Sequence, residues 1–114
     1  MFSRPVPIPG LSAAVAAAAR ATPFAEIFSA SRCRPSVARA RQLAVYLHHV
    51  ALGASVSGCA QAFARDRATI RHACATIEDL RDDPLFDASA ARLESALAAQ
   101  RDMICALLSQ GSAR

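Results

Sequence analysis

Apolar residues recur along this chain at three- and four-residue steps, and no stretch alternates with the period of two that a half-buried strand needs. The clearest stripe is Val37, Ala40, Leu43, Ala44, Leu47, Val50 and Ala51, which predicts a helix from Ser36 to about Leu52. Arg39, Gln42, Tyr46 and His49 fall on its opposite side, and Gly53 is placed to end it as a left-handed cap. A shorter helix follows from Val56 to about Ala64, burying Val56, Cys59, Ala60 and Phe63. Asp66 suits the N-cap of the next, Arg67 to about Arg81, with Ile70, Ala73, Cys74, Ile77 and Leu80 inward. Asp82, Asp83 and Pro84 stop that helix, and a last one spans about Ala88 to Leu108, with Leu93, Leu97, Ile104, Leu107 and Leu108 apolar. Upstream, Ser12 caps a helix to about Arg20, and Thr22-Pro23 restarts a short one through Phe28. Ser29 to Pro35 reads as a polar, arginine-bearing loop. The fold class is all-α.

Composition sharpens that picture. Hydrophobic residues make up 54% of the 114 but aromatics only 5%, so the core must be built from Ala, Val, Leu and Ile in close-packed helices. The length allows one core and one domain. The expected organisation is a Pro-rich extended arm at 1–10, a single helical domain at 11–109 and a tail at 110–114. Met1 to Ala19 has an early arginine and an Ala-rich run, a loose likeness to a signal peptide. Pro5, Pro7 and Pro9 before the run and Arg20 after it favour a short helix instead. No run approaches transmembrane length, so no membrane is expected as a partner and a cytoplasmic, nucleoid-associated protein is.

The net charge is +4, and all 13 basic residues are arginines. A genome rich in G and C accounts for that choice, but not for its distribution. Arg32, Arg34, Arg39 and Arg41 cluster without an acid among them, and Arg65, Arg67 and Arg71 follow with only Asp66 against them. The acids collect later, at Glu78, Asp79, Asp82, Asp83 and Asp87. A basic half opposed to an acidic patch predicts one surface turned toward a polyanion. Two helices joined tightly at Asp66-Arg67 then read as a helix-turn-helix at about 56–81, whose second helix enters a major groove by its N-terminal turn. The inward stripe leaves Arg67, Ala68 and Arg71 outward, and the helix end presents N–H groups to phosphate.

Other chemistry is sparse. Cys33, Cys59, Cys74 and Cys105 have no CxxC spacing, and Cys59 and Cys74 fall at apolar helical positions, so reduced, structural thiols are expected. His48 and His49 project about 100° apart and cannot share one metal, which makes surface histidines the expectation. His72 is expected to serve structure. No nucleophile, base and orienter come together, and no GxxxxGK[ST] loop is present, so no enzyme, cofactor or metal is expected.

Ser36-Val37-Ala38-Arg39-Ala40-Arg41-Gln42-Leu43-Ala44 resembles the opening helix of the C-terminal, box-reading domain (domain IV) of the bacterial replication initiator DnaA. Ala62-Phe63-Ala64-Arg65-Asp66-Arg67-Ala68-Thr69-Ile70-Arg71-His72-Ala73-Cys74 is similar to its signature, AFGGRDHTTVLHAC, and Thr76 to Arg81 continues the likeness. The resemblance reaches back weakly to Leu11. It implies a small helical bundle with a Trp-repressor-like helix-turn-helix that binds double-stranded DNA. There is no room for the family's ATPase region, so ATP-driven origin melting is not expected.

The resemblance also implies roles. Asp66, Arg67 and Ala68 occupy the family's base-reading positions, and Arg71 faces the same way. Arg41 and Arg65 would hold phosphates, Arg32 or Arg34 would enter the minor groove, His49 would replace a basic phosphate contact, and Thr69 would reach a phosphate. The signature's Gly-Gly-Arg is here Ala64-Arg65, one residue shorter, and its His and first Thr are Arg67 and Ala68. Asp66 suits a cytosine amino group, Arg67 a guanine and Ala68 a thymine methyl, which implies a changed or relaxed sequence preference. The expected function is a regulator of transcription or replication initiation acting by occupying sites, bending DNA or recruiting partners. The alternative is a degenerate domain that binds a protein, as a homodimer or with another partner, through its first or last helix.

Overall fold

The computed structural model describes residues 9–29 and 34–112. Among the described residues six helices follow one another: α1 (Pro9–Ala19), α2 (Phe24–Ile27), α3 (Pro35–Val50), α4 (Val56–Phe63), α5 (Arg67–Leu80) and α6 (Pro84–Ser112). No strand occurs among the described residues. Arg32, expected in the minor groove, and Cys33 lie outside them, as does most of the expected N-terminal arm.

The helix α3 is the centre of the bundle. The α1 helix packs along one side of it, through Ala13, Ala16 and Ala17, while α4 and α5 cover another through Phe63, Ile70, Ala73 and Ile77. Small alanines let α1 approach closely, as the shortage of aromatics requires. Because α3 is covered from several directions, the expected two-sided pattern fails there. Tyr46 and His48, expected at the surface, are 5% and 2% exposed, whereas Val50, expected inside, is 47% exposed at the helix end.

Two helix starts also differ from expectation. The α1 helix is already formed at Pro9, ahead of the expected cap at Ser12. Ser12 therefore lies inside α1, fully buried, and its hydroxyl shares a 3.3 Å hydrogen bond with His48 Nδ1. Pro84 opens α6 four residues before the expected Ala88, and the Leu85 N–H donates to Asp83 Oδ1. Asp83 and Pro84 thus end one helix and begin the next. The α6 helix continues to Ser112, roughly 43 Å at 1.5 Å per residue. Ala90 and Leu97 bury its inner side, and Arg101 donates to the Ala51 carbonyl at 3.0 Å.

Burial, and then the neighbouring His49, lower the pKa of His48 from its ordinary 6.5. The unfolded chain takes up a proton near 6.5 and the folded chain only at lower pH. Stability present above pH 6.5 therefore falls as pH drops through 6.5 toward the folded value. The free energy of unfolding in urea should decline between pH 7.5 and 5.5, by at most about 1.4 kcal/mol per pH unit from this group. In His48→Gln that decline should shrink; an identical decline would place its origin elsewhere.

Candidate nucleic-acid interface

The α4–α5 pair is built from local signals at each end. The Ser55 hydroxyl caps α4 by accepting from the Gly58 N–H at 3.0 Å. Cys59 and Phe63, one turn apart, bury its inner side. Ala64 then turns the chain at φ 54, ψ 48, and the Arg65 N–H returns to the Ala60 carbonyl at 3.0 Å, closing the helix as a left-handed cap does. Gly53 makes the corresponding reversal after α3 at φ 78, with the Ala54 N–H reaching the His48 carbonyl.

Ala64 holds this left-handed conformation without glycine's freedom. Ala64→Gly should raise the free energy of unfolding by about 1 kcal/mol, read from a higher urea midpoint. An unchanged or lower midpoint would show that the turn carries no such strain.

Asp66 caps α5 in extended backbone, and its Oδ1 accepts from the Thr69 N–H at 2.8 Å. Hydrogen bonds from the Thr69 side chain and then its backbone hold the Asp66 carboxyl below its ordinary range. Ile70, Ala73 and Ile77 bury the inner side of α5. Its outer side presents Arg67, Ala68, Arg71 and His72 in the first two turns, Ala75 in the middle, and Glu78 and Asp79 near the end. The exposed face runs from cationic to anionic in the direction of the chain. His72, expected to serve structure, stands on that face.

The other expected contacts are placed differently. The Arg41 guanidinium sits on backbone carbonyls, donating through Nε to Ile27 at 2.7 Å and through Nη2 to Glu26 at 2.9 Å and Ser29 at 3.0 Å. Arg65 donates to the same Ser29 carbonyl at 2.8 Å and to those of Phe63 and Ala64. These two arginines tie the chain entering the basic loop to α3 and to the helix-turn-helix. Both arginines are partly exposed beside these bonds. The His49 Nδ1–H donates to the Ala54 carbonyl at 2.6 Å, since a carbonyl only accepts. Arg34 precedes α3 and is exposed. Sequence spacing gives no sign of the tethers to Glu26, Ile27 and Ser29, because they join residues 12 to 36 positions apart.

A family model described as the bacterial DnaA protein helix-turn-helix matches residues 13–77, more than half of the chain. The chain belongs to the bacterial DnaA helix-turn-helix family. The matched span takes in most of α1 and continues through most of α5. The DnaA helix-turn-helix is a DNA-binding domain and not a catalytic one. No curated protein matches the chain. None of the described helices is long and apolar enough to cross a membrane. Among the described residues no cluster of three or more His, Cys, Asp or Glu is arranged to hold a metal. Cys59, Cys74 and Cys105 are free thiols, and burial, then Cys74, pushes that of Cys59 up to about 11. Such a thiol is a packing group rather than a nucleophile at neutral pH.

Proposed function

We propose that this domain binds duplex DNA by seating the first two turns of α5 in the major groove, and that it regulates transcription or replication initiation by occupying its sites on the nucleoid. The observation that carries the reading is the charge order along α5. Arg67 and Arg71 lie exposed at the helix start, and Glu78 and Asp79 lie exposed at its end, followed by Asp82 and Asp83. The helix macrodipole has the same sense. A polyanion is attracted to the N-terminal turn and repelled from the C-terminal one, so the helix enters end-on rather than lying along the groove. Arg34, exposed before α3, is the phosphate or minor-groove contact retained from the sequence expectations. Arg41 and Arg65 act instead by fixing the loop. Residues 11–109 form the binding unit in this reading.

Fluorescence anisotropy on labelled duplexes across a salt series tests it. The set should hold the DnaA family's box, a scrambled copy and a randomised pool. Binding that weakens with salt, with one sequence clearly preferred, would support the reading. Binding no tighter than that of an inert protein of equal charge would remove the reading.

A second reading, docking of a protein partner, draws on the far end of α6. Met103, Leu107 and Leu108 are exposed there by 61–67%, beyond the turn that Arg101 ties to α3. The first helix offers less, because Ala13, Ala16 and Ala17 are already buried. Concentration-dependent sedimentation would support this reading through a second copy, and loss of self-association in Leu107→Glu would locate it. A monomer at all concentrations would exclude the homodimer.

A further inference from the structure

We propose that Arg67 and Arg71 form a two-pronged guanine reader, so that the preferred duplex carries two guanines on one strand within two base-pair steps of each other. This rests on the major-groove reading above and goes beyond it, by assigning the bases and the second arm.

The structure sorts the polar residues around the helix-turn-helix into occupied and open groups. Asp66 and Thr69 are occupied with one another in the α5 cap. Arg41 and Arg65 are occupied with backbone carbonyls, and His49 Nδ1 with that of Ala54. Arg67 and Arg71 are exposed, and no hydrogen bond or ion pair reaches either guanidinium from the described residues. Four residues apart on one helix, they project about 40° apart and about 6 Å along the axis. Helix residues three to four apart meet successive bases in groove-bound helices, which sets the spacing of one to two steps. Ala68, beside Arg67, and Ala75, one turn after Arg71, are small exposed residues on the same outer face, with His72 between them.

The pair is also unfavourable for the free protein. Two cations one turn apart repel, and cations at a helix N-terminus oppose the macrodipole. No acid lies three or four residues after either arginine to offset this: those positions hold Ile70 and Arg71 after the first, and Cys74 and Ala75 after the second. Elsewhere in the chain Arg81 is paired with Asp87 and Glu94, and Arg101 with Asp102, at other spacings. Two exposed guanidiniums one turn apart, with no acceptor from the described residues, leave their donors open to a ligand. Guanine offers two acceptors, O6 and N7, in the geometry of the guanidinium fork.

Selection from a randomised duplex pool, followed by anisotropy on the selected duplex, tests the assignment. The expected site holds two guanines on one strand within two steps. Replacing either by 7-deazaguanine, which removes N7 but keeps Watson–Crick pairing, should weaken binding about 5- to 150-fold. Arg67→Lys and Arg71→Lys keep the charge but lose the fork, so each should abolish the preference for one guanine while leaving the salt slope unchanged. Both sites are exposed, so neither substitution threatens the fold. If 7-deazaguanine has no effect, or each lysine variant keeps the parent's preference, the arginines are phosphate contacts. The assignment then falls while DNA binding stands. Binding to no duplex at all overturns both.

Discussion

Phe63→Ala should lower the free energy of unfolding by about 3–5 kcal/mol. Phe63 is the last residue of α4 and 2% exposed. Its ring stacks on Phe28 with centroids 5.4 Å apart and planes 9° apart, and it meets the His48 ring edge-on at 5.5 Å. It therefore joins the segment after α2, the central helix α3 and the helix-turn-helix at a single point. Truncation to alanine removes these contacts and leaves a cavity that close-packed alanine helices have little large side-chain volume to fill. With total stability for such domains on the order of 5–15 kcal/mol, the loss is a large share. The urea midpoint should fall with an unchanged slope, and Phe63→Leu should cost much less because it refills most of the volume. A loss under 1 kcal/mol in the alanine variant would mean that the site collapses freely and that Phe63 is not the junction described here.

The legible parts of this fold are those set by neighbours in sequence. The Asp66 cap, the αL turn at Gly53 and the inward stripe Ile70, Ala73 and Ile77 each depend on residues within about one turn, and all were readable. The outward placement of Arg67, Ala68 and Arg71 followed from that stripe alone. What was not readable depends on how many elements surround a helix. Tyr46 and His48 look like surface positions on an amphipathic α3, but a helix packed from several directions has no single polar side. The family's pattern and a basic cluster make Arg41 and Arg65 expected phosphate ligands, and neither signal shows their carbonyl bonds. Their reach to carbonyls of Glu26, Ile27 and Ser29 depends on where α2 lies in space. The exposed His72 was likewise hidden by its place in a signature, although its spacing from Ala68 put it on the same face.

Arg81→Met should cost about 2–3 kcal/mol, a second large effect and one with a defined structural consequence. Arg81 lies at the end of α5 with its side chain one-fifth exposed. Its Nε donates to Asp87 at 2.6 Å, and its Nη1 donates to Glu94 at 2.8 Å and to the Tyr46 hydroxyl at 3.0 Å. These bonds, that to Asp87 foremost, raise its pKa above the ordinary arginine value, so the charge persists across the folding range. One side chain thus fastens α5 and α6 to the central helix α3. Methionine retains the apolar stem but leaves the Glu94 carboxylate, 25% exposed, without its cation; Asp87, half exposed, is returned largely to water and contributes less. Since the first turns of α6 are otherwise held by Phe86, Ala90 and Leu93, with Leu97 and the Arg101 tie beyond them, amide exchange should rise most in its first three turns. Glu94→Gln in the Arg81→Met background should then cost less than in the parent, because the partner is already lost. Full additivity of the two would show that they do not interact. The N-terminal turn of α5 lies about four turns away, so the salt slope of DNA binding should match the parent's at temperatures where the variant is folded. A changed slope would instead make the Arg81 junction part of what seats α5 in the groove.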